Sequence, residues 1–87
     1  MAREAGLWIC PHNTQTGAAS VNIVQFAAST PNIGPYMEYV HRSTSKPESW
    51  YKPNFEIRNG VIPLPEGPGM GLEFDPEFLK EATLLRT

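Results

Sequence analysis

Two side chains that can exchange or hold a proton lie close to short apolar runs. His12 follows Leu7–Cys10, and Glu38 lies within the apolar and aromatic run Tyr36–Val40. Imidazole titrates near neutral pH, so His12 can both accept a proton and return it. Taken alone, a histidine after a proline is also typical of a loop or a cap, and Glu38 is equally consistent with a solvated or paired carboxylate.

Other candidate groups favour a structural interpretation. Cys10 lies in an apolar run, which predicts a small buried filler residue. Glu38 and His41 have E-x-x-H spacing, but di-iron sites need that spacing on a helix, and Pro35 argues against a helix there. The glycine-rich segment 67–71 is typical of a turn-rich connection, because it does not join a strand to a helix as phosphate-binding loops do.

The elements around His12 and Glu38 alternate between strand and helix. Leu7–Cys10 is continuously apolar, which predicts a strand buried on both faces, and Tyr36–Val40 predicts a second strand. Between them, Ala18–Ser29 has apolar residues at helical spacing. Residues 2–5 suit the last turn of an earlier helix, with Gly6 just after its end. The order predicts an α/β fold with a parallel sheet or barrel, to which further elements must belong.

The second half of the chain has a different character. Asn59-Gly60 between two apolar segments predicts a β-hairpin over 55–62 with a type I′ turn. Leu64–Gly71 is rich in proline and glycine and predicts a loop. Asp75-Pro76-Glu77 is a strong helix start. The predicted final helix has an apolar stripe formed by Phe78, Leu79, Ala82 and Leu85.

The composition limits the class of protein. The chain has 87 residues, a net charge of −2 and no basic run, so a nucleic-acid partner is not expected. Its one cysteine excludes a disulfide scaffold. There is no signal peptide and no apolar stretch long enough for a bilayer, so the expectation is a cytoplasmic protein without a membrane partner.

Several of these segments, in this order and spacing, resemble the C-terminal part of the mandelate racemase and muconate lactonizing group of the enolase superfamily. The resemblance covers nearly the whole chain. The matching pieces are Leu7–Asn13, Ala27–Asn32, Tyr36–Tyr39, Ile57–Gly60 and Leu64–Pro76.

The resemblance implies an α/β fold that is the C-terminal fragment of a (β/α) barrel. Residues 1–40 would form the end of the barrel, with Leu7–Cys10 as the seventh strand, Ala18–Ser29 as its helix and Tyr36–Val40 as the eighth strand. Residues 41–87 would be a C-terminal tail that joins the α+β capping domain. A whole barrel needs about 250 residues, so the remaining strands must come from elsewhere.

The resemblance also assigns chemistry to particular residues. His12 would be the general acid/base in the removal of a proton next to a carboxylate, assisted by Mg²⁺. Glu38 would donate a hydrogen bond to the substrate carboxylate, which requires that burial raise its pKa. Asn13 would touch substrate hydroxyl groups, although a turn role fits it equally well. The magnesium ligands of the complete enzyme lie on earlier strands, outside this chain.

The leading hypothesis is therefore a fragment of an acid-sugar dehydratase, a lyase, with an acid sugar or another carboxylate as substrate. A racemase or cycloisomerase of the same superfamily is the alternative. The isolated chain is expected to be inactive and to need the missing barrel portion or a complementary chain, and the complete enzyme is expected to be a homo-oligomer. A non-catalytic small protein that associates through exposed sheet edges is the hypothesis from another class.

Overall fold

The computed structural model describes residues 1–40 and 48–85. In chain order its elements are a 3₁₀ turn, Gly17–Ser20, and the helix α1, Val21–Ser29, followed by the strands β1, Tyr51–Lys52, and β2, Glu73–Phe74. The helix α2, Pro76–Glu81, is the last element. The mixed α/β class predicted from the sequence is therefore confirmed in its coarse form.

The first residues form a helical turn that ends at Gly6. The Leu7 N–H donates to Ala2 O at 2.9 Å and the Gly6 N–H donates to Arg3 O at 3.1 Å. This pair of hydrogen bonds is the Schellman arrangement of a helix end, and Gly6 has the positive φ that it requires. The predicted end of a helix at Gly6 is confirmed.

The two predicted strands Leu7–Cys10 and Tyr36–Val40 are not formed, so this prediction is wrong for the structure of this chain. A single parallel bridge joins Ile9 to Ile33 instead. The Ile9 N–H donates to Asn32 O at 3.0 Å, and the Gly34 N–H donates to Ile9 O at 2.8 Å. A buried parallel strand needs hydrogen-bonding neighbours on both edges and cover on both faces. Those neighbours are not among the described residues.

The helix α1 positions the loop that carries His12. It begins at Val21 rather than at the predicted Ala18, because Gly17–Ser20 forms the tighter 3₁₀ turn. It ends at Ser29, as predicted, and Thr30 is extended ahead of Pro31. Val21 is buried at the start of the helix, so this end of α1 is anchored to the rest of the chain.

An aromatic cluster joins β1, β2 and α2. The strands pair antiparallel with Tyr51 opposite Phe74. The Trp50 ring stacks on Phe74 with centroids 5.7 Å apart and on Phe78 at 5.0 Å, and it meets Tyr51 edge-on at 4.8 Å. No pattern in the sequence predicted this strand pair. Aromatic packing stabilises it, since two residues per strand supply few ladder hydrogen bonds.

The predicted turn and helix start in the second half are confirmed. Asn59 and Gly60 both have positive φ, and Arg58 and Val61 exchange two hydrogen bonds of 2.9 Å across them. The hairpin is limited to this one pair. The Asp75 carboxylate accepts from the Glu77 N–H at 3.0 Å and begins α2. That helix stops at Glu81, so the predicted stripe is shortened and Leu85 lies beyond the helix, exposed.

Much apolar surface remains uncovered. The accessible area is 7273 Å², whereas a compact protein of this mass exposes roughly 5,100 Å². The radius of gyration is 15.3 Å, against about 12 Å expected for this length. Trp8 is 71% exposed and Tyr36 is 83% exposed. These side chains flank the Ile9–Ile33 bridge, so exposed apolar surface lies where the sequence predicted neighbouring strands.

Two glycines allow a matched test of the loop that precedes β2. Gly60 and Gly71 both have positive φ, but a Cβ on Gly60 would meet open space, whereas one on Gly71 would lie 2.6 Å from Pro65 Cβ and 2.9 Å from Pro65 O. We expect Gly60→Ala to lower the free energy of unfolding by about 1–2 kcal/mol through backbone strain. Gly71→Ala should lose about 1–3 kcal/mol more, because the rigid Pro65 must move.

Urea unfolding of both variants beside the parent protein measures the difference. Equal losses would show that Gly71 and Pro65 do not pack as described.

Candidate functional site

His12, predicted as the general acid/base, and Glu38, predicted to donate a hydrogen bond to the substrate carboxylate, are in direct contact. His12 Nδ1 lies 2.6 Å from Glu38 Oε2. The side chain of His12 is 77% exposed and that of Glu38 is 43% exposed. The structure thus brings together two residues that belong to, or directly follow, the two predicted strands, although neither run forms a strand.

Asn13 holds this pair in place. Its N–H donates to Glu38 Oε2 at 2.7 Å, and its Nδ2 donates to Glu38 O at 3.3 Å. Its Oδ1 accepts from the Gln15 N–H at 3.0 Å, which closes a local turn. Asn13 is only 2% exposed. Its amide is therefore engaged within the chain, while the predicted contact with substrate hydroxyl groups stays a prediction.

The protonation state of Glu38 differs from the one that the sequence suggested. The N–H of Asn13 is the largest influence and lowers the pKa of the Glu38 carboxyl below its ordinary value. Burial acts in the opposite direction, and the hydrogen bond and charge of His12 lower the pKa further. The expectation of a raised pKa is wrong for this arrangement, because Glu38 is half-exposed and accepts two hydrogen bonds. Glu38 is an acceptor near neutral pH.

The contact with Glu38 fixes which nitrogen of His12 carries hydrogen. An ionised carboxylate only accepts hydrogen bonds, so the proton in the 2.6 Å contact lies on Nδ1. In the neutral imidazole, Nε2 is then the unprotonated nitrogen with a free lone pair. The pair can therefore accept a proton at Nε2 and stabilise the resulting imidazolium through Glu38.

An open cleft of about 270 Å³ lies beside this pair. Side chains from the loop after His12 and from the start of α1 line it: His12, Asn13, Thr14, Gln15, Asn22 and Ile23. The sequence analysis did not single out Thr14, Gln15 or Asn22. One feature of the sequence could have identified them: they belong to neutral polar residues between an apolar run and a helix. Such connecting loops often carry binding residues.

The other candidate groups show no comparable arrangement. Cys10 is exposed, and its Sγ donates to Tyr36 O at 3.2 Å, so the prediction of a buried filler is wrong. The loop at 67–71 is tied to α1, because Gln25 Nε2 donates to Pro65 O at 3.3 Å and to Met70 O at 3.1 Å. His41 of the E-x-x-H spacing lies outside the described residues.

The described residues do not fit a magnesium ion. Mg²⁺ requires near-octahedral oxygen coordination. Within residues 1–40 and 48–85, no group of three or more His, Cys, Asp or Glu side chains is placed to hold a metal. The Glu38 carboxylate already accepts from Asn13 and His12.

No helix in this described part is both long and apolar enough to cross a membrane.

Comparisons with known proteins place these observations in a family context. The sequence model of a family described as "Enolase C-terminal domain-like" matches residues 1–78. A curated D-galactarolactone cycloisomerase from Agrobacterium fabrum (strain C58 / ATCC 33970) is 34% identical over 88 aligned positions, which cover 93% of this chain. The match covers 23% of that relative, so the chain spans less than a quarter of its length. None of the solved structures matches the chain.

The lowered pKa of Glu38 predicts a specific acid sensitivity. A carboxyl whose pKa is lower in the folded state stabilises the fold above its ordinary pKa of 4.5, and this contribution is lost as the pH falls through the folded pKa. We expect Glu38→Gln to flatten the fall of unfolding free energy on acidification. Urea unfolding across this pH range measures it.

Glu66→Gln is the matched control, since it removes an exposed carboxylate from the loop before β2. A Glu38→Gln profile that is as steep as that of the parent protein would contradict the Asn13–Glu38 contact.

Proposed function

The chain belongs to the enolase C-terminal domain-like family, and from this premise we propose that it forms the C-terminal portion of an enolase-superfamily enzyme. The proposed reaction removes a proton from the carbon next to a carboxylate. The observation that carries the proposal is the His12–Glu38 contact, held by the buried Asn13. It supplies an oriented base in a chain whose family match covers residues 1–78.

His12 Nε2 is the proposed proton acceptor. In the proposed step the C–H bond breaks, the proton goes to Nε2, and the electron pair of that bond moves into the substrate carboxylate to give an enediolate. The enediolate then expels the oxygen substituent on the neighbouring carbon, and this leaving group takes the proton from Nε2, which restores the neutral imidazole. Enolase-superfamily sites use a Lys or His base together with Mg²⁺. Since the described residues do not fit this ion, its ligands would have to come from outside them.

Glu38 is proposed as a positioning residue for His12. The resemblance assigned to it a hydrogen bond donated to the substrate carboxylate, which needs a protonated side chain. An ionised Glu38 would instead repel a carboxylate at close range. Its lowered pKa and its contact with Nδ1 support a different role, which is to fix the tautomer of His12 and stabilise the imidazolium.

The substrate class that we propose is an acid sugar or its lactone. The curated relative is named a D-galactarolactone cycloisomerase, which supports an isomerase of this kind. The lyase reaction of an acid-sugar dehydratase is the second candidate, supported by the resemblance of the Pro11-His12-Asn13 segment. The reactions are easily distinguished, since an isomerase conserves the mass of its substrate and a dehydratase removes one water.

A complementary segment or chain is the proposed partner of this one. The chain spans 23% of its curated relative, and Trp8 and Tyr36 expose apolar surface beside the Ile9–Ile33 bridge. We propose that further barrel strands cover this surface in the complete enzyme, which would be a homo-oligomer. The same surface supports the second functional class, a non-catalytic protein that associates through its apolar face.

Proton exchange in deuterated water tests the proposed function. In the presence of the complete protein, acid sugars and their lactones should incorporate deuterium at the carbon next to their carboxyl group. NMR of the sugars detects this exchange. His12→Gln should reduce this rate about 10²–10⁴-fold, because the base is lost. Asn54→Ala removes an exposed amide elsewhere and should leave the rate unchanged. Undiminished exchange in His12→Gln would exclude His12 as the base.

The metal proposal has its own test. We expect the 87-residue chain alone to bind Mg²⁺ only weakly and without saturation, because its described residues offer no cluster of ligands. Isothermal titration calorimetry with MgCl₂ measures this. A saturable site of micromolar affinity would show that the chain carries its own magnesium centre and would overturn this part of the proposal.

A further inference from the structure

The cleft beside His12 has a wall of neutral polar side chains that the acid/base chemistry does not use. Thr14 and Gln15 belong to the loop after His12, and Asn22 lies in the first turn of α1. All three are exposed, and all three line the cleft. Their position next to the proposed base places them where the remainder of a bound substrate would lie.

This wall is held by the same contacts that hold the base. The Gln15 N–H donates to Asn13 Oδ1 at 3.0 Å, and Gln15 O accepts from Ser20 Oγ at 3.2 Å. Ser20 is fully buried and directly precedes α1. The loop and the helix are therefore connected by the Gln15 backbone, which leaves the Gln15 side chain available at the surface of the cleft.

The chemistry of the lining matches hydroxyl groups better than charged groups. Amide and hydroxyl side chains both donate and accept hydrogen bonds, as substrate hydroxyl groups do. None of the six lining side chains is Lys, Arg, Asp or Glu, so the wall offers no fixed charge to a carboxylate. Ile23 adds an apolar contact that suits the C–H groups of a carbon chain.

We propose that Thr14, Gln15 and Asn22 form a specificity wall that recognises the hydroxyl groups of a polyhydroxylated acid or its lactone. The wall orients the substrate so that its carboxylate end, with the acidic C–H, faces His12. This inference rests on the proposed function and deepens it, because it names the residues that select among substrates of the proposed class.

A pair of diacids isolates the contribution of hydroxyl groups. Galactarate and adipate have the same carbon chain and the same two carboxylates, and they differ in their hydroxyl groups. The complete protein should bind galactarate more tightly than adipate, as calorimetry measures. Gln15→Leu and Asn22→Leu should each weaken galactarate binding about tenfold and leave adipate binding unchanged, since each removes hydrogen bonds to hydroxyl groups.

Control variants separate this effect from misfolding and from the acid/base chemistry. Asn54→Leu replaces another exposed amide outside the cleft and should preserve the preference for galactarate. Leucine is a good helix residue, so Asn22→Leu should keep α1 intact, as circular dichroism checks. His12→Gln should slow proton exchange about 10²–10⁴-fold without removing the preference for hydroxyl groups.

The outcomes distinguish the two proposals. Equal binding of galactarate and adipate by the parent protein, or an undiminished preference in both wall variants, would overturn the specificity wall. If the wall variants lose the preference while the parent protein exchanges no proton, then the wall stands and the proposed reaction fails.

Discussion

The carboxylate of Glu38 is the point on which the site depends. It accepts from the backbone N–H of Asn13 at 2.7 Å, across a separation of 25 residues, and from His12 at 2.6 Å. Without this acceptor, His12 would stand on an exposed loop with no fixed orientation. A charged acceptor makes these hydrogen bonds stronger than neutral ones, which suits a contact that must operate at a partly exposed position. The side-chain amide of Asn13 also links Glu38 to Gln15, because it donates to Glu38 O and accepts from the Gln15 N–H. Gln15 belongs to the wall of the cleft.

The ionisation of Glu38 also determines which roles it and its neighbours can have in the proposed reaction. An ionised carboxylate can orient an imidazole and stabilise its positive charge, but it cannot donate a hydrogen bond to a substrate anion. In the proposed reaction, the group that neutralises a substrate carboxylate would therefore lie outside this chain. What remains for this chain is the base at His12 and the neutral side chains of Gln15 and Asn22. These roles fit the proposal that this chain contributes one end of a larger site.

Local signals in the sequence predicted local structure well. Gly6, Asn59-Gly60 and Asp75-Pro76 act through hydrogen bonds to residues a few positions away, so their neighbours suffice to determine the outcome. The strand predictions failed because a parallel strand depends on partners distant in sequence. The pairing of β1 with β2 was missed because each has only two residues and aromatic packing around Trp50 stabilises them. The direction of the Glu38 pKa was equally hidden, since it depends on the Asn13 N–H.

The site and the missing strands have a common explanation. The contacts among His12, Asn13 and Glu38 are made within this chain, so they form without neighbouring strands. The runs Leu7–Cys10 and Tyr36–Val40 require edge partners, and within residues 1–40 and 48–85 the bridge between Ile9 and Ile33 is the one that either run makes. Trp8 and Tyr36 therefore stay exposed. Each Å² of apolar area that remains in water lacks about 25 cal/mol of hydrophobic stabilisation. A partner that supplied strand edges would recover this energy and would shield the Glu38 contact, which strengthens as water is excluded.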